Sequence, residues 1–158
     1  MGTRGIAMYK SIVVGIDGSE TARAAMLKAA ELAKLTGARV HLVTASAKGR
    51  LAEMVALDPM AAGMSEMLKR TEDELNAASG DLLKRVAEEL RAKGVDADTY
   101  LVDDDPADAI IGVAESANAD LIVVGNKGMR GAKRFVLGSV PNAVAHRAPC
   151  DVTIVSTT

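Results

Sequence analysis

The residues best suited to chemistry stand together at 125–139, GNKGMRGAKRFVLGS, between the most apolar run of the chain and a helix-like one. Gly125 and Gly128 are three apart, Gly138 and Ser139 close the segment, and Lys127, Arg130, Lys133 and Arg134 lie between them without a carboxylate. Glycines at a strand-to-helix bend let backbone N–H groups approach a ligand with no Cβ in the way. The first N–H groups of the next helix lack intrahelical partners and sit at the positive end of its dipole, and the Ser139 hydroxyl adds a further group for a phosphate. Four cations and no acid suit a polyphosphate better than a carboxylic acid. Taken singly, the same residues also fit a solvated basic turn with Ser139 as an N-cap. The segment is neither a Walker loop, since no Gly-Lys-Ser/Thr follows, nor the G-x-G-x-x-G dinucleotide fingerprint.

The elements that must position this loop can be read from hydrophobic periodicity. Residues 9–17, YKSIVVGID, have a β-branched centre and read as a buried parallel strand ending in Gly15 and Asp17. Ser19 caps a helix over 20–35 with Ala22, Ala25, Met26, Ala29, Leu32 and Ala33 on one face, stopped by Gly37. A second strand follows at 40–45. Residues 46–63 show no clean period, although 50–57 could form a short helix before Asp58-Pro59. Met64, Met67, Leu68, Leu75, Ala78, Leu82, Val86 and Leu90 recur at helical spacing, predicting a long amphipathic helix that tolerates Gly80 and stops at Gly94. The methionines read most simply as core filler. Strands at 98–102, 120–125 and 151–156 and helices at 106–117 and 139–147 complete the series, with Pro106 well placed at a helix start. Five strands alternating with four helices predict an α/β fold, a five-stranded parallel sheet with helices on both faces.

Composition narrows the partners. A chain of 158 residues suits one domain, expected over 8–158, with 1–7 read as an extension that takes no structural part. Hydrophobic residues make up 49% and aromatics only 2%, which argues against stacking platforms for single-stranded nucleic acid. A net charge of −2 gives no general pull on nucleic acid or an anionic membrane. The apolar runs are far too short to span a bilayer, and the first ten residues lack a signal-peptide hydrophobic region. With one cysteine, Cys150, no disulfide can close within the chain, and the two histidines stand without a Cys-x-x-Cys. The expectation is a soluble, cytoplasmic protein.

The joint spacing Gly125-x2-Gly128-x9-Gly138-Ser139 resembles, residue for residue, the nucleotide-binding signature of the universal stress protein family. The resemblance runs from about Met8 to the C-terminus. It implies strand order 3-2-1-4-5, the architecture of the universal stress protein and adenine nucleotide α-hydrolase-like folds, with the ligand at the switch point between the first and fourth strands. Asp17 stands where the family carries its nucleotide-contacting aspartate; a helix N-terminal carboxylate is its plainer role. Gly15 and Ile16 would wall the adenine, and Ala45 would offer its backbone to the base. Val124, Gly125, Asn126, Lys127, Gly128, Arg130, Gly138, Ser139 and Val140 would serve the ribose and phosphates. The implied ligand is ATP, with or without Mg2+ on its phosphates. Two positions depart from the pattern. Pro141 replaces a hydroxyl residue and offers neither hydroxyl nor N–H, and Asp104 stands where relatives often have glycine.

Three alternatives stay open. Pro141 would weigh most on a triphosphate, which favours AMP or cyclic AMP in the same pocket. A dimeric interaction module with a vestigial pocket is a different class, and an ATP pyrophosphatase of related fold finds only a faint echo in Gly15-Ile16-Asp17-Gly18-Ser19. Catalysis has little to stand on: there is no Gly-x-Ser-x-Gly elbow, and His41 and His146 read as a strand residue and a helix-end cation, leaving at most slow ATP hydrolysis. The last strand, Val152-Thr153-Ile154-Val155-Ser156, carries no lysine, proline or glycine and would lie bare at the sheet edge, predicting a homodimer paired through it.

Overall fold

A computed structural model of the chain describes residues 8–47, 56–127 and 136–157. In order they form β1 (Ser11–Gly15), α1 (Glu20–Thr36), β2 (Arg39–Ala45), a 3-10 turn (Pro59–Met64), α2 (Ser65–Ala92), β3 (Ala97–Val102), α3 (Pro106–Ser116), β4 (Leu121–Gly125), α4 (Ser139–Arg147) and β5 (Asp151–Val155). The strands make one sheet in the order β3-β2-β1-β4-β5. Every pair is parallel.

The two central strands have both faces covered, so their side chains are apolar without alternation. Ile12, Val13 and Val14 of β1 and Leu121, Ile122 and Val123 of β4 are all 0% exposed. Each such burial contributes about 1.5–3 kcal/mol. One core joins Ile12, Val14, Leu121 and Val123 to α1 and α2 through Ala25, Met26, Ala29, Leu83 and Leu90. The other joins Val13, Val43, Ile122 and Val124 to α3 and α4 through Ile110, Val113 and Val144. The chain thus leaves β1 towards one face of the sheet and β4 towards the other.

Local signals fix the helix ends. The Ser19 hydroxyl accepts from the Ala22 N–H and caps α1, which closes on Gly37 at φ 74°. Asp105 caps α3 through the Ala107 N–H, with Pro106 in the first position. α4 spans the expected 139–147, and since Gly138 is its cap residue and Ser139 its first helical residue, the plainer N-cap reading of Ser139 fails. His146 lies in its last turn, as read.

The expected 50–57 helix falls mainly outside the described residues. The long helix is present, but its apolar stripe is buried only in its C-terminal half, at Leu83, Val86, Ala87 and Leu90. The core-filler reading of the methionines fails with it: Met26 is buried, whereas Met60, Met64 and Met67 are 91%, 52% and 68% exposed. Helical spacing identifies a face, and only tertiary packing decides how much of that face meets the sheet. No helix among the described residues is long and apolar enough to cross a membrane.

Candidate functional site

Because α1 and α4 leave adjacent strands towards opposite faces, a cleft opens between them at the carboxyl ends of β1, β2 and β4. Its volume is about 670 Å³. Gly15, Ile16, Asp17, Ala45, Val124, Gly125, Lys127 and Val140 all line it, so the structure gathers these predicted residues around one space. Asn126, Gly138 and Ser139 are not among the lining residues. Gly128 and Arg130 lie outside the described residues, as do Lys133 and Arg134.

At one end the walls are apolar: Ile16, Val43, Ile110 and Pro106. β1 stops pairing with β2 at Gly15 opposite Val43, and β2 runs on to Ala45. Backbone groups alternate sides along a parallel strand. The Ser46 N–H goes to Val102 of β3 and the Val43 carbonyl accepts from Ile16, so Ala45 turns its N–H and C=O towards the gap left where β1 has ended. That is a donor beside an acceptor at an apolar slot.

Asp17 stands at the β1 end of the cleft, exposed. Its Oδ1 accepts from the Ser19 N–H at 2.9 Å and the Ser19 hydroxyl at 2.5 Å. This turn needs Gly18 at φ 82°, a conformation that glycine adopts freely. One oxygen thus builds the start of α1, the plainer reading of Asp17, and Oδ2 makes no hydrogen bond among the described residues.

At the opposite side stands the start of α4. Gly138 donates its N–H to the Asn126 carbonyl, and Asn142 donates to the Gly138 carbonyl. Between these, the N–H groups of Ser139 and Val140 have no partner within the helix, and Pro141 has no N–H to offer. With Val140, Pro141 and Lys127 lining the cleft, the positive end of the helix and a lysine border it together. Asp17 and Lys127 are its charged lining residues among those described.

Asn126 works behind the cleft. Its N–H donates to the Val155 carbonyl at 3.0 Å, and its Oδ1 accepts from the N–H and hydroxyl of Thr157 at 3.4 Å. It clamps the end of β4 to the end of β5.

Gly125 lacks a side chain for a reason the sequence did not give. A Cβ there would stand 2.7 Å from the Thr21 Cβ and 2.9 Å from the Thr21 carbonyl, so packing against α1 by itself demands the glycine. Leu75 and Ser79 of α2 also line the cleft. Their place depends on how α2 lies across the sheet, which periodicity alone does not give. Ser46 and Asp103 meet nearby at 3.3 Å. Asp104 is exposed and accepts from the Asp105 N–H at 2.8 Å, a turn contact. Elsewhere burial pushes the Cys150 thiol up, away from the reactive thiolate.

The universal stress protein family profile matches residues 8–156. A universal stress protein of Mycobacterium tuberculosis is 35% identical over 163 residues, covering 97% of this chain and 100% of that relative. Among solved structures, a universal stress protein in complex with cAMP superposes with a TM-score of 0.70 at 30% identity, covering 96% of this chain and 100% of that one. The universal stress protein from Archaeoglobus fulgidus in complex with dAMP gives 0.66 at 25% identity, covering 93% and 98%.

Proposed function

We propose that this chain, which belongs to the universal stress protein family, binds an adenine nucleotide in the cleft as a regulatory ligand of a stress response, with ATP as that ligand. One observation carries the reading: a single cleft holds an apolar slot with the Ala45 N–H and C=O at one end and the start of α4 with Lys127 at the other. Adenine presents an amino donor beside ring-nitrogen acceptors, and guanine carries a carbonyl acceptor in place of that amino group. Ala45 would pair with the first and oppose the second. Ile16, Val43 and Ile110 would pack the base, and Asp17 Oδ2 would accept from ribose hydroxyls. Lys127 and the N–H groups of Ser139 and Val140 would hold phosphate, joined by Gly128 and Arg130 of the loop. Gly15, Val124 and Gly125 shape the floor, while Asn126 and Gly138 hold the loop ends. Among the described residues no cluster of three His, Cys, Asp or Glu side chains is placed to hold a metal, so any Mg2+ would arrive on the phosphates.

One observation favours a smaller ligand. Pro141, buried in the third position of α4, removes an N–H that would otherwise face the phosphates, which weighs against ATP and towards AMP or cyclic AMP. We further propose one ligand-binding domain over residues 8–158, working in the cytoplasm as a homodimer joined through β5.

Mass spectrometry of small molecules released from the denatured native protein tests the reading. ATP is the expected species. AMP or cyclic AMP would favour the smaller ligand, and an empty protein would favour an interaction module with a vestigial pocket.

A further inference from the structure

We infer that Thr21, which does not line the cleft, is the positioning residue that sets the phosphate end of the site; the inference rests on the nucleotide reading above. Thr21 lies in the first turn of α1 and is 4% exposed. A threonine so deeply buried must place its hydroxyl proton, and the bond it makes leaves its own helix: Oγ1 donates to the Lys127 carbonyl. In contrast, Thr36, Thr71 and Ser116 turn their hydroxyls back to the carbonyl four residues earlier in their own helices.

Thr21 and the β4 loop meet twice, by packing and by hydrogen bonding. Gly125 lies so close to the Thr21 backbone and Cβ that no side chain fits between them. Two residues on, the Lys127 carbonyl is held by the Thr21 hydroxyl. The bond therefore seats against α1 the backbone of Lys127, which lines the cleft, and a Cβ on Gly138 at the start of α4 would stand 3.2 Å from the Lys127 Cα.

This bond stands by itself. The Ser19 hydroxyl lies 3.2 Å from Thr21 Oγ1. Each hydroxyl has one proton. Ser19 gives its proton to the Asp17 carboxylate, Thr21 gives its own to the Lys127 carbonyl, and neither acceptor has a proton to return. The Ser19–Thr21 contact is left without one. Asp17 at the ribose end and Lys127 at the phosphate end are thus fastened separately to the same turn of α1, and loss of the Thr21 hydroxyl releases only the phosphate end.

Calorimetric titration of AMP and of adenosine into the full chain separates the two ends. Thr21→Val keeps the buried volume and removes the donor. It should weaken AMP by about tenfold, the effect of one lost hydrogen bond, and change adenosine by less than about twofold. Thr21→Ser keeps the donor and should restore AMP affinity to within about twofold of wild type. Gly125→Ala pushes the loop off the same seat and should weaken AMP more than adenosine. A folded Thr21→Val protein with unchanged AMP affinity, or with equal losses for both ligands, would overturn the assignment while leaving the nucleotide reading intact. If Thr21→Val does not fold, Gly125→Ala decides, and a wild-type ratio of the two affinities overturns it. Wild-type protein that binds neither compound overturns the nucleotide reading and this assignment together.

Discussion

His41 is the buried titratable side chain whose burial most plainly governs its protonation. It is 6% exposed on β2, with Nδ1 3.1 Å from the Tyr100 hydroxyl and 3.9 Å from Asp98, which Arg39 already pairs at 2.9 Å. Burial pushes the imidazole below its ordinary value, against the pull of Asp98 and with the repulsion of Arg39. The folded state therefore resists a proton that the unfolded chain accepts below about pH 6.5. Stability from this group is present above that value and is lost as pH falls towards the lower folded pKa. Thermal melts at pH 7.5 and 5.5 should show the protein less stable in acid, and His41→Gln should reduce that difference. An unchanged pH slope in the variant would contradict this account. The sequence identified His41 as a strand residue but could not give its burial, because Tyr100, 59 positions away, and the neighbouring Asp98 meet it only across the sheet. Gly125 and Thr21 are alike in this: the glycine was legible, and its packing partner was not.

At the scale of the element, α2 is two helices in one. Leu83, Val86, Ala87 and Leu90 dock on the sheet, whereas Met67 and Leu75 of the N-terminal half remain exposed, as does Met64 just before it. Gly80 lies at the junction with open space where a Cβ would go and without a positive φ. Its entropic cost is thus uncompensated. Gly80→Ala should stabilise the protein by roughly 1 kcal/mol, raising Tm by about 2–4 °C. A lower Tm would mean that the junction needs glycine for a bend absent from this structure. The helix itself was legible because its period is long and regular. Its exposed half was not, since apolar side chains at helical spacing look the same whether or not a partner covers them. The strands were legible throughout: β-branched runs ending in glycine or aspartate place Gly15, Asp17 and Val124 at carboxyl ends, where the cleft forms.

For the whole molecule, the order of the strands sets both the site and the exposed edge. β1 and β4 lie side by side, so their helices diverge and open the cleft, and among the described residues β5 is paired on one side only, with β4. Val152 is half-buried and Ile154 is 37% exposed on that strand. A bare edge of this kind invites pairing, and a two-fold partner would align antiparallel with it. Light scattering at micromolar concentration should give a dimer for the full chain and a monomer for Ile154→Lys, since two lysines would face each other across the axis. A monomeric wild type, or a fully dimeric variant, would refute the interface. Strand order was expected from family resemblance rather than from periodicity, which gives elements and leaves their neighbours open.

The central claim is that the cleft selects an adenine nucleotide, and calorimetric titration of AMP against GMP tests it most directly. The two ligands share ribose and phosphate, so the start of α4, Lys127 and Asp17 should treat them alike, and the backbone of Ala45 must tell them apart. Saturable binding of AMP with GMP at least about tenfold weaker is the predicted result, from one base-edge hydrogen bond gained against one opposed. Equal affinity for the two, or no binding of AMP, would contradict it.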